Sequence, residues 1–222
     1  MIRHDYILQM IEEFGRALAR IRALRQNRRW EEARNAVDAE CEKLAATGAQ
    51  GLAALSETEL LARLTEGQST EMVRQRLFLV ITLLGEAGEI AEAAGRAEEG
   101  REARLKALHL LLEVLAQVDA RELPEFVPRV EGILASLCEK PLPSRTQVLL
   151  MRHYEGTGQF AKAEDALFAI LEASPGDAAA ISFGLAFYDR ILRQSDAMLM
   201  AGNLPRAEAE QGLRELKSLK HP

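Results

Sequence analysis

The stretch Leu149 to Pro175, LLMRHYEGTGQFAKAEDALFAILEASP, constrains this chain most. An apolar helix carrying Tyr154 runs into Gly156-Thr157-Gly158. A second helix opens at Phe160 and carries Ala163, Leu167 and Ile170 at helical spacing. Pro175 and Gly176 stop it. One helical hairpin cannot bury both of its faces, so a chain built around it needs more hairpins stacked alongside.

Composition agrees with helix nearly throughout. Ala, Leu, Glu and Arg dominate the 222 residues, and β-branched and aromatic residues are sparse. Apolar residues make up 48% of the chain, enough for a sizeable core. The net charge of −6 argues against general nucleic-acid affinity. No apolar run reaches the roughly 18 residues of a membrane span. The opening residues lead into an acidic amphipathic helix instead of a secretory signal. The two cysteines, Cys41 and Cys138, lie far apart in helical patterns and read as small core residues, not as a disulfide. The expected setting is the cytoplasm.

Taken in order, the first helix covers about Asp5 to Leu24. Ile7, Met10, Ile11, Phe14, Leu18, Ile21 and Leu24 form one apolar stripe, which would pack on the core or serve as a dimer seam. The second helix starts near Trp30, with Val37, Cys41 and Leu44 facing inward. Gly48 and Gly51 break the chain. Ser56 and Glu59 form a capping box for a short helix with Leu60, Leu61 and Leu64, ended by Gly67. Ser69 or Thr70 caps the next helix, Gly85 and Gly88 bracket a turn, and a short acidic helix runs from Glu89 to Glu99. Leu105 to Val118 is apolar on more than one side and should be central. Pro124 and Pro128 imply a late start or a kink in the helix carrying Val130, Ile133 and Leu137. Pro141-Leu142-Pro143 is the clearest linker; it either divides residues 1–140 from 141–222 or is an ordinary loop between stacked hairpins of one continuous domain, the preferred reading. A long helix from Ala178 to Ala201 and a last one from Pro205 complete the chain.

Four segments align: Arg28-Arg29-Trp30-Glu31-Glu32-Ala33, Gly88-Glu89-Ile90-Ala91-Glu92-Ala93, Gly158-Gln159-Phe160-Ala161-Lys162-Ala163 and Gly202-Asn203-Leu204-Pro205-Arg206-Ala207. A glycine closes the turn, a large apolar residue plugs the hairpin, and an alanine lets the helices approach. With Leu150, Tyr154, Leu167 and Pro175, the third copy resembles the tetratricopeptide repeat. The intervals between copies are unequal and do not follow that repeat's roughly 34-residue period, so extra helices are inserted. The resemblance implies an all-α curved array of antiparallel helical hairpins, with about ten or eleven helices in about five hairpins. The opening Asp5-Tyr6-Ile7-Leu8-Gln9-Met10-Ile11-Glu12, together with Phe187-Tyr188-Asp189-Arg190 and Gly202-Asn203-Leu204-Pro205-Arg206, is also similar to an uncharacterised bacterial family of helical-repeat proteins. That second resemblance spans nearly the whole chain and implies no activity.

No complete catalytic pattern is present. His4, His109, His153 and His221 lack the spacing of a zinc-protease helix or of a helical di-iron site. His153, beside Tyr154, reads as a packing group. Glu86-Ala87-Gly88-Glu89 resembles the acidic helix of all-α Mg²⁺-dependent nucleotide pyrophosphatases, but Gly85 replaces one glutamate and the second acidic helix is missing. Arg104 and His109 match the loose spacing of helical-bundle ribonucleases, with Leu105 where those have a polar residue. No cofactor or metal is expected. Arginines crowd the first hairpin, and Arg22 and Arg25 fall where a tetratricopeptide hairpin faces its concave side. Arg145, Arg152 and Glu155 do the same in the strongest copy. Val148 and Arg152 stand where that superfamily's carboxylate clamp needs Lys and Asn, so the clamp itself is not carried over. The reading is a non-enzymatic protein-interaction module. Its partner would be an acidic protein or peptide, with no nucleic acid and no membrane. The alternative is a homo-oligomer assembled through the first helix.

Overall fold

Alternating apolar and charged faces, few β-branched residues and frequent capping signals leave the backbone one efficient way to pair its amides, the α-helix. The computed structural model describes the backbone of residues 2–65 and 67–220 and the side chains of residues 6–65 and 67–219. Among the described residues there are twelve α-helices, one short 3-10 turn and no strand. None of these helices is long and apolar enough to cross a membrane. The chain divides into two compact units, Met1–Pro141 and Leu142–Pro222.

In the first unit, α1 (Ile2–Gln26) and α2 (Trp30–Ala45) form a hairpin that packs on a longer one, α5 (Thr70–Ala93) and α6 (Ala97–Leu115). Phe14, Leu18 and Ile21 of α1 are buried, so much of its apolar stripe is used within the unit. The short helices α3 (Ala49–Ala54) and α4 (Glu57–Thr65) fill the space beside α2, α5 and α6. The Ser56–Glu59 capping box forms as expected: Glu59 N–H donates to Ser56 Oγ, and Ser56 N–H donates to Glu59 Oε2. Ser69 caps α5 by accepting from Met72 N–H. α6 is central, with Leu108 and Leu111 fully buried. α7 (Val130–Ala135) starts late, after Pro128, and packs on α6.

In the second unit, α8 (Ser144–Gly156) and α9 (Phe160–Ala173) form the hairpin that was most legible. α10 (Ala178–Ile191) packs on α9 and on α12 (Arg206–Lys220), with the short α11 (Asp196–Ala201) between α10 and α12. A Cβ on Gly184 would lie within 3.1 Å of side-chain atoms of both Leu167 and Leu216, so α10 sits tightly between α9 and α12. Ala163 is fully buried where α9 meets its neighbours.

Four turns share one geometry. Arg28, Gly95, Gly158 and Asn203 all have positive φ, between 56° and 81°. The following N–H then reaches back to a carbonyl in the last turn of the preceding helix: Arg29 to Leu24 at 3.0 Å, Arg96 to Ala91 at 2.8 Å, Gln159 to Tyr154 at 2.8 Å and Leu204 to Leu199 at 3.0 Å. This double closure satisfies helix-end carbonyls and reverses the chain. What these four segments share in the structure is this turn. Its register matches the sequence alignment at Arg28 and Gly158, is offset by one at Asn203, and lies at Gly95 instead of Gly88.

That last shift corrects a reading of glycine. Gly85 and Gly88 do not bracket a turn, and α5 runs through both to Ala93 without a separate acidic helix. The reason is packing. A Cβ on Gly88 would lie 3.0 Å from the Gly100 carbonyl, and one on Gly100 would lie 2.8 Å from the Gly88 carbonyl. The two glycines let the backbones of α5 and α6 touch. Gly51 likewise lies inside α3, which periodicity did not reveal because the helix is so short. The helix expected from Ala178 to Ala201 is broken in two: Ser195 caps a fresh start by accepting from Met198 N–H. Cys138 is exposed instead of core, because it lies just past α7, beyond the buried Leu137. Both cysteines are free, and Cys41 is buried. Gly100→Ala should test the α5–α6 contact. The substitution gains helix propensity of about 1 kcal/mol but drives a methyl into backbone. A net loss of about 1–3 kcal/mol in chemical denaturation is expected.

Candidate functional site

Arg22 and Arg25 lie three apart on α1, so their side chains leave the same side of the helix. Both turn onto α5. Arg22 Nε is 2.6 Å from Glu86 Oε1, and Arg25 Nη1 is 3.0 Å from Glu86 Oε2 and also meets Glu89. Glu86 is only 6% exposed, so this pairing answers a buried carboxylate. The two arginines tie α1 to α5, and their charge is neutralised within the unit. Glu86 and Glu89 are occupied in the same way. Among the described residues, no group of three or more His, Cys, Asp or Glu is placed to hold a metal ion. Arg104, buried on α6, pairs with Glu92. The side chains of His4 and His221 lie outside the described residues.

A second polar cluster joins α4 to α6. The buried Lys106 ammonium donates to the Leu55 carbonyl and to Glu57, and His109 Nε2 lies 3.5 Å from Glu57 and 3.4 Å from Glu113. Burial opposes ionisation of Glu57. Its own backbone N–H, the Lys106 ammonium and His109 outweigh that and hold its pKa at about 2, below an ordinary value of 4.5. The geometry is that of a helix N-terminus pinned to a neighbour.

In the second unit, α8, α10 and α11 enclose an open cleft of about 660 Å³. Arg152 and Glu155 of α8 line one wall, Phe183 and Arg190 of α10 the other, and Met198 of α11 the rim. The base is Phe160, held where Ala161 N–H donates to the Gly202 carbonyl at 3.0 Å and so joins the two hairpin turns. Glu155 bridges the cleft to Arg190 through two contacts of 2.6 and 2.8 Å. That hydrogen bonding raises the Arg190 pKa and leaves the pair neutral overall. Arg152 is different. Its guanidinium lies 6.0 Å from the Phe183 ring centroid, and it forms no ion pair among the described residues. Met198 is 51% exposed at the rim. Arg145, near the other end of α8, is exposed and is not part of the lining. His153 is half-buried and packs against Tyr154 at 5.7 Å between ring centroids.

The cleft thus gathers two of the five residues marked in the sequence, Arg152 and Glu155, and adds others, among them Phe183, Arg190, Gln194 and Met198. Phe183 and Arg190 fall on one face of α10 seven residues apart, and Gln194 follows in the turn after it, a signal present in the sequence but indistinguishable there from core periodicity. Met198 reaches the rim only because the chain breaks before α11. Chemically, the cleft offers a cation with no ion pair among the described residues, an aromatic face and a soft thioether. A carboxylate next to an apolar group would satisfy all three.

The Glu57 cluster carries a pH signature. Its folded pKa lies below the unfolded one, so its stabilisation is complete above about pH 4.5 and is lost as the pH falls toward about 2. Thermal melts over this range should show the loss in the parent chain. In Glu57→Gln, which is less stable at neutral pH, the acid-dependent fall should be shallower.

Compared with known proteins, residues 1–221 match the model of a family described as a family of unknown function (DUF6483). No curated protein and no solved structure matches the chain.

Proposed function

Because the chain belongs to this family of unknown function, we propose from the geometry that it is a non-enzymatic protein-interaction module of tetratricopeptide-like build. It takes an acidic segment of a partner protein into the cleft between α8 and α10. The observation that carries this reading is Arg152. It is a cation without a carboxylate among the described residues, set over Phe183 in a cleft whose other arginine is already paired. A side chain carrying one negative charge would meet Arg152, and an apolar neighbour would cover Phe183 and Met198. The four backbone-closed turns support a repeat architecture of this type. Two free cysteines fit a cytoplasmic setting.

An array of short peptides that pair Asp or Glu with Leu, Met or Phe, each beside its Asn or Gln counterpart, tests the proposal with the full chain. Acidic members should be retained over their amides. Arg152→Glu should weaken the retained peptides by at least about tenfold, equivalent to about 1.4 kcal/mol, while the melting temperature stays close to that of the parent. Equal retention of acids and amides, or unchanged affinity in Arg152→Glu, would remove the cleft as the binding site.

A further inference from the structure

The inner face of α1 is used against its own unit, but its outer face carries a pattern of its own. Leu8, Glu12, Gly15, Arg16 and Ala19 fall along one outward stripe at steps of three and four. All five are exposed, and Leu8, a large apolar side chain, is 47% exposed. Glu12 and Arg16 stand one turn apart, the spacing that favours an ion pair within a helix. Neither forms an ion pair among the described residues. Gly15 lies in mid-helix, where glycine is disfavoured relative to alanine. A Cβ there would meet nothing within 4 Å. Unlike Gly88 and Gly100, this glycine has no contact within the unit that requires it.

We infer that this face docks on the same face of a second copy, with the two α1 helices antiparallel about a two-fold axis near residues 13 and 14. In that register Leu8 of each copy covers Ala19 of the other, large against small. Gly15 removes the bulk that would hold the backbones apart. Each Glu12 meets the partner's Arg16, giving two symmetric ion pairs. A parallel arrangement would set Glu12 against Glu12 and Arg16 against Arg16, so the charges select the antiparallel one. The pattern is complementary to itself, as a two-fold interface requires, because the same patch must serve both sides. This places the self-association seam on the face opposite the Ile7–Leu24 stripe. It does not depend on the cleft of the second unit.

Charge exchange tests it. Sedimentation velocity of the full chain over a micromolar to submillimolar range should show the parent moving from monomer to dimer. Glu12→Arg and Arg16→Glu alone should each stay monomeric with unchanged helix content. Mixed in equal amounts, they should regain the dimer mass, because the opposed charges again match across the pair. Gly15→Leu should keep the fold and lose the dimer. A parent that remains monomeric throughout, or single-charge variants that keep the dimer mass, would overturn the inference.

Discussion

Four turns in this protein, those after α1, α5, α8 and α11, are each closed by one residue held at positive φ. The amide after it reaches back into the helix just completed. At Gly95 and Gly158 the backbone adopts this conformation without a Cβ penalty. At Arg28 and Asn203 it carries a cost of about 1–2 kcal/mol, smaller for asparagine. The closure offsets that cost by satisfying carbonyls that would otherwise end in nothing. It also sets the direction of the returning helix. The placement of Trp30, Ala97 and Phe160 at the start of their helices follows from it, and so does the position of Phe160 at the base of the cleft.

Glycine has two roles here, and only one of them is visible in a sequence. As a turn residue it sits between two periodic segments and announces itself. As a contact residue it sits inside a helix, and only the facing element explains it. Gly88 and Gly100 are of the second kind, which is why a continuous 24-residue helix reads as two pieces with a turn between them. The hairpin at Gly158, the capping box at Ser56 and the cap at Ser69 were legible because all their determinants are local. The break before α11 depends on the Ser195 hydroxyl competing with helix continuation, a balance that periodicity cannot resolve. The fates of Arg22 and Arg25 were hidden for another reason. Their partner, Glu86, lies far along the chain and meets them only after α1 has packed on α5.

Several charges in this molecule are spent internally. Glu86 with two arginines, Arg104 with Glu92, Lys106 with Glu57 and Arg190 with Glu155 each link one helix to another. Such pairs contribute little net stability when exposed, but they fix which face of a helix meets which neighbour. Against that background the unpaired groups stand out. Arg152 beside an aromatic ring, and Glu12 with Arg16 on an open helix face, belong to the charged groups that form no ion pair among the described residues. The sequence marked Arg152 by its position in a repeat. Nothing in it distinguished Arg16 from the other arginines of the first hairpin, since all are equally charged until the fold consumes some of them.

The backbone bond from Ala161 to Gly202 has a consequence for how the chain is made. A ribosome releases α8 and α9 well before Gly202 emerges, so the first hairpin of this unit leaves the exit tunnel with a helix-start amide facing water and with Phe160 only partly covered. The last turn supplies both the missing acceptor and the cover. Closure of the unit therefore waits until Gly202 has emerged, and a chain cut short before it presents an apolar seam to whatever quality-control factor meets it first.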